Sequence, residues 1–332
     1  MPLPDLAGLK GQLYLLWDAC LHRNLAQTLY QLDNRVFMLP LYQGTQFESL
    51  GDIQPLLLQC PADSQLLDWL EQQLCYRDSV WLFESTSSSA ELLRYFQQLP
   101  LQQHPLGHQV LFRYQDPRVL AGFMAAQLPL EALFPAGIFG RVWVYDTIAE
   151  HWHCRVPQSA QSSEATQRFQ LTDDHLKVMQ QVCWQQFGLR LQQHLRHFFA
   201  DEFGSVSLAG TLAIAERAAA QGWESERDIF LYGNILGYLG ADFEKNLIGN
   251  QASSASGALL DQHQASSASG ALLDQHQASR EPVSQSEYAG IINLMQTRGS
   301  GRSAALAQAA DLAKQLNQQR ANALQGVTHV GR

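Results

Sequence analysis

Apolar and polar positions along the first 150 residues alternate between two periods. The runs LYLLW (13–17), VFMLPLY (36–42), SVWLF (79–83), QVLFRY (109–114) and RVWVY (141–145) are short, rich in β-branched and aromatic residues, and bounded by polar residues, Gly or Pro. That pattern predicts strands. Between them, DSQLLDWLEQQL (63–74) and SSAELLRYFQQL (88–99) space their apolar residues three and four apart, which predicts helices. The polar break PQSAQSSEATQR (157–168) ends this lobe.

Beyond the break the period is helical only. Thr172 is placed to cap a helix whose first turn carries Asp173 and Asp174, where negative charge suits the helix dipole. Leu176, Met179, Cys183, Phe187, Leu191, Leu195 and Phe198 then predict one long amphipathic helix. SLAGTLAIAERAAAQG ends on Gly222, and ESERDIFLYGNILGYLG begins with a cap at Ser225 and ends at Gly240. The expected fold class is a mixed α/β (α+β) lobe followed by an all-α lobe.

QASSASGALLDQH then occurs at 251–263 and again, letter for letter, at 264–276. Packed repeats are longer and carry a full apolar face each, so this duplication reads as a spacer, natural or introduced as a tether. As a coil of about 36 residues it spans roughly 30–35 Å. The Ala/Leu/Gln stretch at 299–326 follows as a helix with Leu306, Leu312, Leu316 and Leu324 as its apolar positions. Such a narrow stripe is marginal alone, so a docking role is expected for 303–325. The resulting division is 1–150 (α/β lobe), 151–168 (interlobe linker), 169–245 (helical lobe), 246–282 (repeat-containing linker) and 283–332 (helical tail).

Charge adds exclusions. The net charge is −9, with 8 Lys+Arg against 15 Asp+Glu in residues 1–150. A folded acidic body is a poor non-specific binder of nucleic acid. The N-terminus lacks a basic segment before its apolar run, and Asp18 interrupts that run, so no signal peptide is expected. No apolar stretch reaches the length of a spanning helix, and the expectation is a cytoplasmic protein without membrane insertion. Cys20, Cys60, Cys75, Cys154 and Cys183 form no CxxC pair, which predicts small buried hydrophobes without a disulfide frame or zinc ribbon.

Chemistry concentrates in VLFRYQDPRVL (110–120). As a strand, it puts Val110, Phe112 and Tyr114 on one face, with Leu111 and Arg113 on the other. Asp116 then falls at a helix N-cap and Pro117 at the first helical position, where its missing N–H costs nothing. Arg113 and Arg118 flank this junction and can pair with Asp116 or with Asp18 at the end of the first strand. The alternative is a hydrolase or transferase working from Asp18 and Asp116 at strand ends. Against it, no histidine, serine or cysteine stands nearby in a recognised arrangement.

The same stretch resembles the signature of the DUF4123 family of type VI secretion effector adaptors, also called effector chaperones. Leu111 to Leu120 carry it, with Tyr114 and Gln115 as departures, and Pro105-Leu106-Gly107 stands where the family has Pro-Asp-Gly. YLLWDA (14–19), PLYQGT (40–45), LLDWL (66–70), WLFES (81–85), LLRYFQQL (92–99) and IFGRVWVYD (138–146) extend the likeness, and 224–244 resembles the helical part more weakly. The resemblance implies a non-enzymatic protein without cofactor that holds a cognate secreted effector and helps load it onto the VgrG spike. An immunity-type inhibitor of a toxin is the alternative binding role.

Other constellations are weak. His151 and His153 in HWHC, and His194 with His197, each offer two metal ligands without a third, so no metal site is expected. TRGSGRS (297–303) lacks the ending of a phosphate loop, and no HExxH, GxSxG or dinucleotide fingerprint occurs. Among the aromatics Trp17, Tyr42, Trp69, Trp81, Trp143, Trp152 and Trp184, most belong to core stripes. Trp152, beyond the last expected strand, and Tyr42 are the candidate partner-binding residues.

Overall fold

The computed structural model describes residues 2–22, 24–73, 78–158, 168–240, 243, 285–297 and 299–329. The chain divides into two units, Met1–Cys183 and Trp184–Arg332. In the first, six strands form one antiparallel sheet: β1 (Gln12–Trp17), β2 (Phe37–Pro40), β3 (Leu56–Cys60), β4 (Val80–Ser85), β7 (Val142–Asp146) and β8 (His151–Arg155), in the order β2-β3-β1-β4-β7-β8. A separate hairpin joins β5 (Leu101–Gln103) to β6 (Gln109–Leu111).

β1 sits mid-sheet, Leu15 facing Leu58 of β3 on one side and Leu82 of β4 on the other. It is buried on both faces, which explains its nearly unbroken apolar run. Leu13, Leu15 and Trp17 pack with Leu25 and Leu29 of α1 (Leu25–Leu32) and Leu66, Leu67 and Leu70 of α2 (Gln65–Gln72). Tyr14 and Leu16 face the opposite layer, with Leu92 and Phe96 of α3 (Ser89–Phe96) and Leu120 and Phe123 of α4 (Pro117–Ala125). Local chemistry starts these helices: Ser64 caps α2, and Ser88 and Glu91 close a reciprocal capping box on α3.

The mixed α/β class followed by helices is observed, with corrections inside it. The strand expected over 109–114 stops at Leu111 and belongs to the hairpin. The Phe112 N–H turns to Pro100 O and the Asp116 N–H to Arg113 O, so the chain leaves the ladder while Phe112 and Tyr114 sink into the core. β3 went unforeseen because LLLQC is a short apolar run without alternation, and residues 151–155, assigned to a linker, form edge strand β8. Cys20, Cys154 and Cys183 are exposed and only Cys60 is buried, since they lie on a turn, an edge strand and an outer helix face.

α5 (Asp173–Phe198) carries the chain from the first unit into the second, where α6 (Ala200–Phe203), α7 (Leu208–Ala220), α8 (Glu226–Leu239), α9 (Gln285–Met295) and α10 (Arg302–His329) follow. α7 ends as expected on Gly222, at φ +85°. The Trp223 N–H bonds Ala218 O and the Gly222 N–H bonds Ala219 O, the paired closure of a Schellman motif. Trp223 is buried in this unit's core with Ile214, Tyr232 and Ile235.

α10 is no free arm. Leu306, Ala309, Ala310 and Ala313 bury one face in the same core, beside Tyr288, Ile291 and Ile292 of α9. Leu312, expected on that face, is exposed, because alanines rather than leucines make the close contact. At its start the Arg302 guanidinium stacks 4.0 Å over Trp223 and donates to Gln221 O, and the Ser303 hydroxyl donates to Asp228 at 2.9 Å. The duplicated segment, Cys75 and the Leu324 side chain lie outside the described residues. Among those residues, no helix is long and apolar enough to cross a membrane.

Candidate functional site

The signature residues meet at the C-terminal end of β1. Asp18 is buried, its N–H donates to Ser79 O at 2.7 Å, and its carboxylate accepts the Cys20 N–H at 3.3 Å, capping a short 3-10 turn. Arg113 reaches across 95 residues to form an ion pair with that carboxylate, and the same guanidinium contacts Cys20 Sγ at 3.1 Å. Burial opposes the charge on Arg113, yet Asp18 offsets it and holds the guanidinium above its ordinary pKa.

Asp116 builds the neighbouring half. Its carboxylate accepts the Arg118 N–H at 3.1 Å, with Pro117 at the first helical position, so one side chain starts α4. Arg118 then folds back on its own cap, Nε to Oδ1 at 2.8 Å and a second nitrogen to Oδ2 at 2.7 Å. This fork-on-carboxylate bonding raises the Arg118 pKa. Each arginine therefore has its own aspartate, which resolves which partner each takes.

Proximity in space adds groups that spacing along the chain did not reveal. His22 Nε2 lies 2.6 Å from Ser79 Oγ, next to Asp18. A hydrogen-bonded serine and imidazole is the start of a nucleophile and base pair. Here Ser79 is 0% exposed, so no substrate carbonyl can meet its oxygen. Burial lowers the His22 pKa against the pull of Asp78 and Asp18. The Cys20 thiol is pushed up by burial and by Asp18, the reverse of an activated thiolate. A signal was available: Asp18, Cys20 and His22 follow β1 directly, and Ser79 opens the strand paired with it.

The two aromatic candidates separate. Tyr42 is 3% exposed, packs on Phe47 and has its hydroxyl pushed up to about 12 by burial, so it offers no surface ring. Trp152 is half-buried on β8, lies tilted against Tyr145 with ring centres 5.3 Å apart, and donates from its indole to Pro2 O at 3.2 Å. His151 and His153 share an edge contact, and His153 lies 3.4 Å from Asp146. His194 turns to Asn234 Oδ1 at 2.6 Å. Among the described residues, no group of three or more His, Cys, Asp or Glu is arranged to hold a metal ion.

The first unit is thus a three-layer α/β unit on an antiparallel sheet, with Arg113, in the segment before α4, ion-paired to Asp18 at the end of β1. Residues 13–131, within the first unit, match the family described as "Domain of unknown function (DUF4123)". The chain is also similar to the "Accessory protein VasW" of Vibrio cholerae serotype O1 (strain ATCC 39315 / El Tor Inaba N16961). They are 26% identical over 236 residues, covering 70% of this chain and 77% of the relative. No solved structure matches.

Proposed function

We propose that this protein is an accessory factor of type VI secretion, and in its finer form an adaptor that binds a cognate toxic effector and helps load it onto the VgrG spike. The observation that carries this reading is the joint itself: Arg113 ties its segment to Asp18 at the end of β1, and Asp116 caps α4 while pairing with Arg118, so the signature's acids and bases are spent on structure. A group held for turnover needs a reactable proton and access to substrate. The DUF4123 match and the similarity to an accessory protein support the same conclusion.

Co-expression of the full chain with the protein encoded beside it is expected to yield a complex that survives size exclusion at micromolar concentration. Deleting the gene is expected to block secretion of that protein alone. Separate elution together with unchanged secretion would refute the adaptor. Neutralisation of the toxin by the chain, with no effect on its export, would favour the inhibitor reading.

A further inference from the structure

Residues 2–11 run ahead of β1 and lie over the sheet face that packs on α2. Leu3, Leu6 and Leu9 are half-buried against the core layer of Leu13, Leu15 and Trp17, while Pro2, Asp5, Ala7 and Gly8 are exposed. A three-residue step keeps side chains on one side of an extended chain that turns every third residue. Gly8, at φ +66°, makes the turn between Leu6 and Leu9.

The body holds this segment by its backbone. Glu71 of α2 accepts the Leu3 N–H at 3.2 Å, and the Trp152 indole of β8 donates to Pro2 O at 3.2 Å. Arg141 donates to Ala7 O at 3.0 Å, and Glu84 of β4 accepts the Lys10 N–H at 3.4 Å. Among the described residues, no backbone-to-backbone bond ties residues 2–10 to the sheet. Glu84 is the revealing member, because a carboxylate only 5% exposed on a strand is costly unless paired. Arg141 pairs with it at 2.9 Å, and Gly140 makes the room, since a Cβ there would stand 2.4 Å from Glu84. A buried ion pair thus presents one acceptor and one donor to the segment above it. Arg141 Nη2 is buried without a partner, so the guanidinium holds one more donor than residues 2–10 use.

The occupant of the groove defines what the groove takes. Side chains that bond backbone N–H and C=O groups are indifferent to the residues carrying them, and selection falls to the apolar side chains three apart. Held without a ladder and by half-buried leucines, residues 2–10 sit as an intramolecular ligand. We propose that the groove between α2 and β8 is a recognition site for an extended peptide segment with apolar side chains three apart, and that residues 2–10 are its resident, displaceable ligand. A short tether gives such a resident an effective concentration of about a millimolar, so a competitor must bind more tightly than it does. The unused Arg141 donor is where a segment with one more acceptor gains.

The probe is a synthetic peptide of residues 2–11, PLPDLAGLKG, blocked at both ends and titrated into the full chain. Leu6→Asp drives the resident out and leaves the groove residues intact. The peptide is expected to bind this variant saturably and raise its Tm, and to bind wild type at least about tenfold more weakly because the resident competes. Trp152→Phe added to Leu6→Asp removes the bond to Pro2 O and is expected to weaken the peptide about fivefold. A peptide carrying the Leu6→Asp change is expected not to bind. Leu6→Ala, a milder release, is expected to fall between wild type and Leu6→Asp, and it carries the test where Leu6→Asp does not fold. No saturable binding to either variant up to about 1 mM, with far-UV spectra showing a folded chain, would overturn the proposal, as would equal binding to wild type and variants. Wild-type dimers that Leu6→Asp abolishes would support it, with the same segment of a second copy as the ligand.

Discussion

The two units hold themselves together by opposite means. In the α/β unit the decisive contacts near the signature are ionic and long-range, with Arg113 drawn onto Asp18 and Arg118 locked on Asp116. In the helical unit they are small and apolar: alanines of α10, the glycines of α8, and a cation stacked on Trp223. A charged joint tolerates a narrow set of geometries and identities, since removing either partner leaves a buried group unpaired. A seam of alanine and glycine constrains volume but leaves flanking positions free. The residues that match the DUF4123 family model, 13–131, lie in the unit with the charged joint.

The sharpest break of that contrast is Trp223→Ala. Removing a fully buried indole that also carries Arg302 is expected to cost about 3–5 kcal/mol, read as a lowered urea midpoint that salt does not change. Next comes Asp18→Ala. A broken buried pair costs about 3–5 kcal/mol, and the 42% exposure of Arg113 reduces the expectation to about 2 kcal/mol. An effect that vanishes at high salt would place the joint at the surface and erase the comparison. Asp116→Ala removes a cap worth about 1 kcal/mol and also unpairs Arg118, so its cost is expected to match that of Asp18→Ala, at about 2 kcal/mol, measured as a shift in Tm without loss of partner binding.

A pH test follows in size. Thr172 caps α5, and His175 answers through Nδ1, which accepts the Thr172 N–H at 3.2 Å and lies 2.6 Å from its hydroxyl. The ring is buried between Phe123 and Phe169. Burial lowers its pKa below 6.5, against the opposing charge of Asp174. The unfolded chain therefore binds the proton first, so this contribution is complete above about pH 6.5 and is lost as pH falls below it. The slope in chemical denaturation should not exceed about 1.4 kcal/mol per pH unit, and His175→Gln should flatten it. A slope unchanged by that substitution would move the sensitivity elsewhere.

Legibility followed interaction range. Caps were readable because each is decided within three residues: Asp116-Pro117, Ser225 and Thr172 all start helices where the pattern put them. The class of each unit followed from periodicity. β3 escaped because five residues buried on both faces show no alternation. The pairing of Asp18 with Arg113 could be offered only as one option, since 95 residues of chain separate them. Ser79 beside His22 was invisible for the same reason. The buried face of α10 was misread because alanine gives a faint hydrophobic signal, although its small size is what lets two helices touch.

One arrangement bears on how the molecule is born. Leu306, Ala309 and Ala313 complete a core that also draws on α8, ending at Leu239, and on α9, beginning at Gln285, so the ribosome must add more than 60 residues after α8 before the last wall arrives. At about 5–20 residues per second this interval lasts several seconds. Until then the apolar face of α8 that α10 covers stays unsealed.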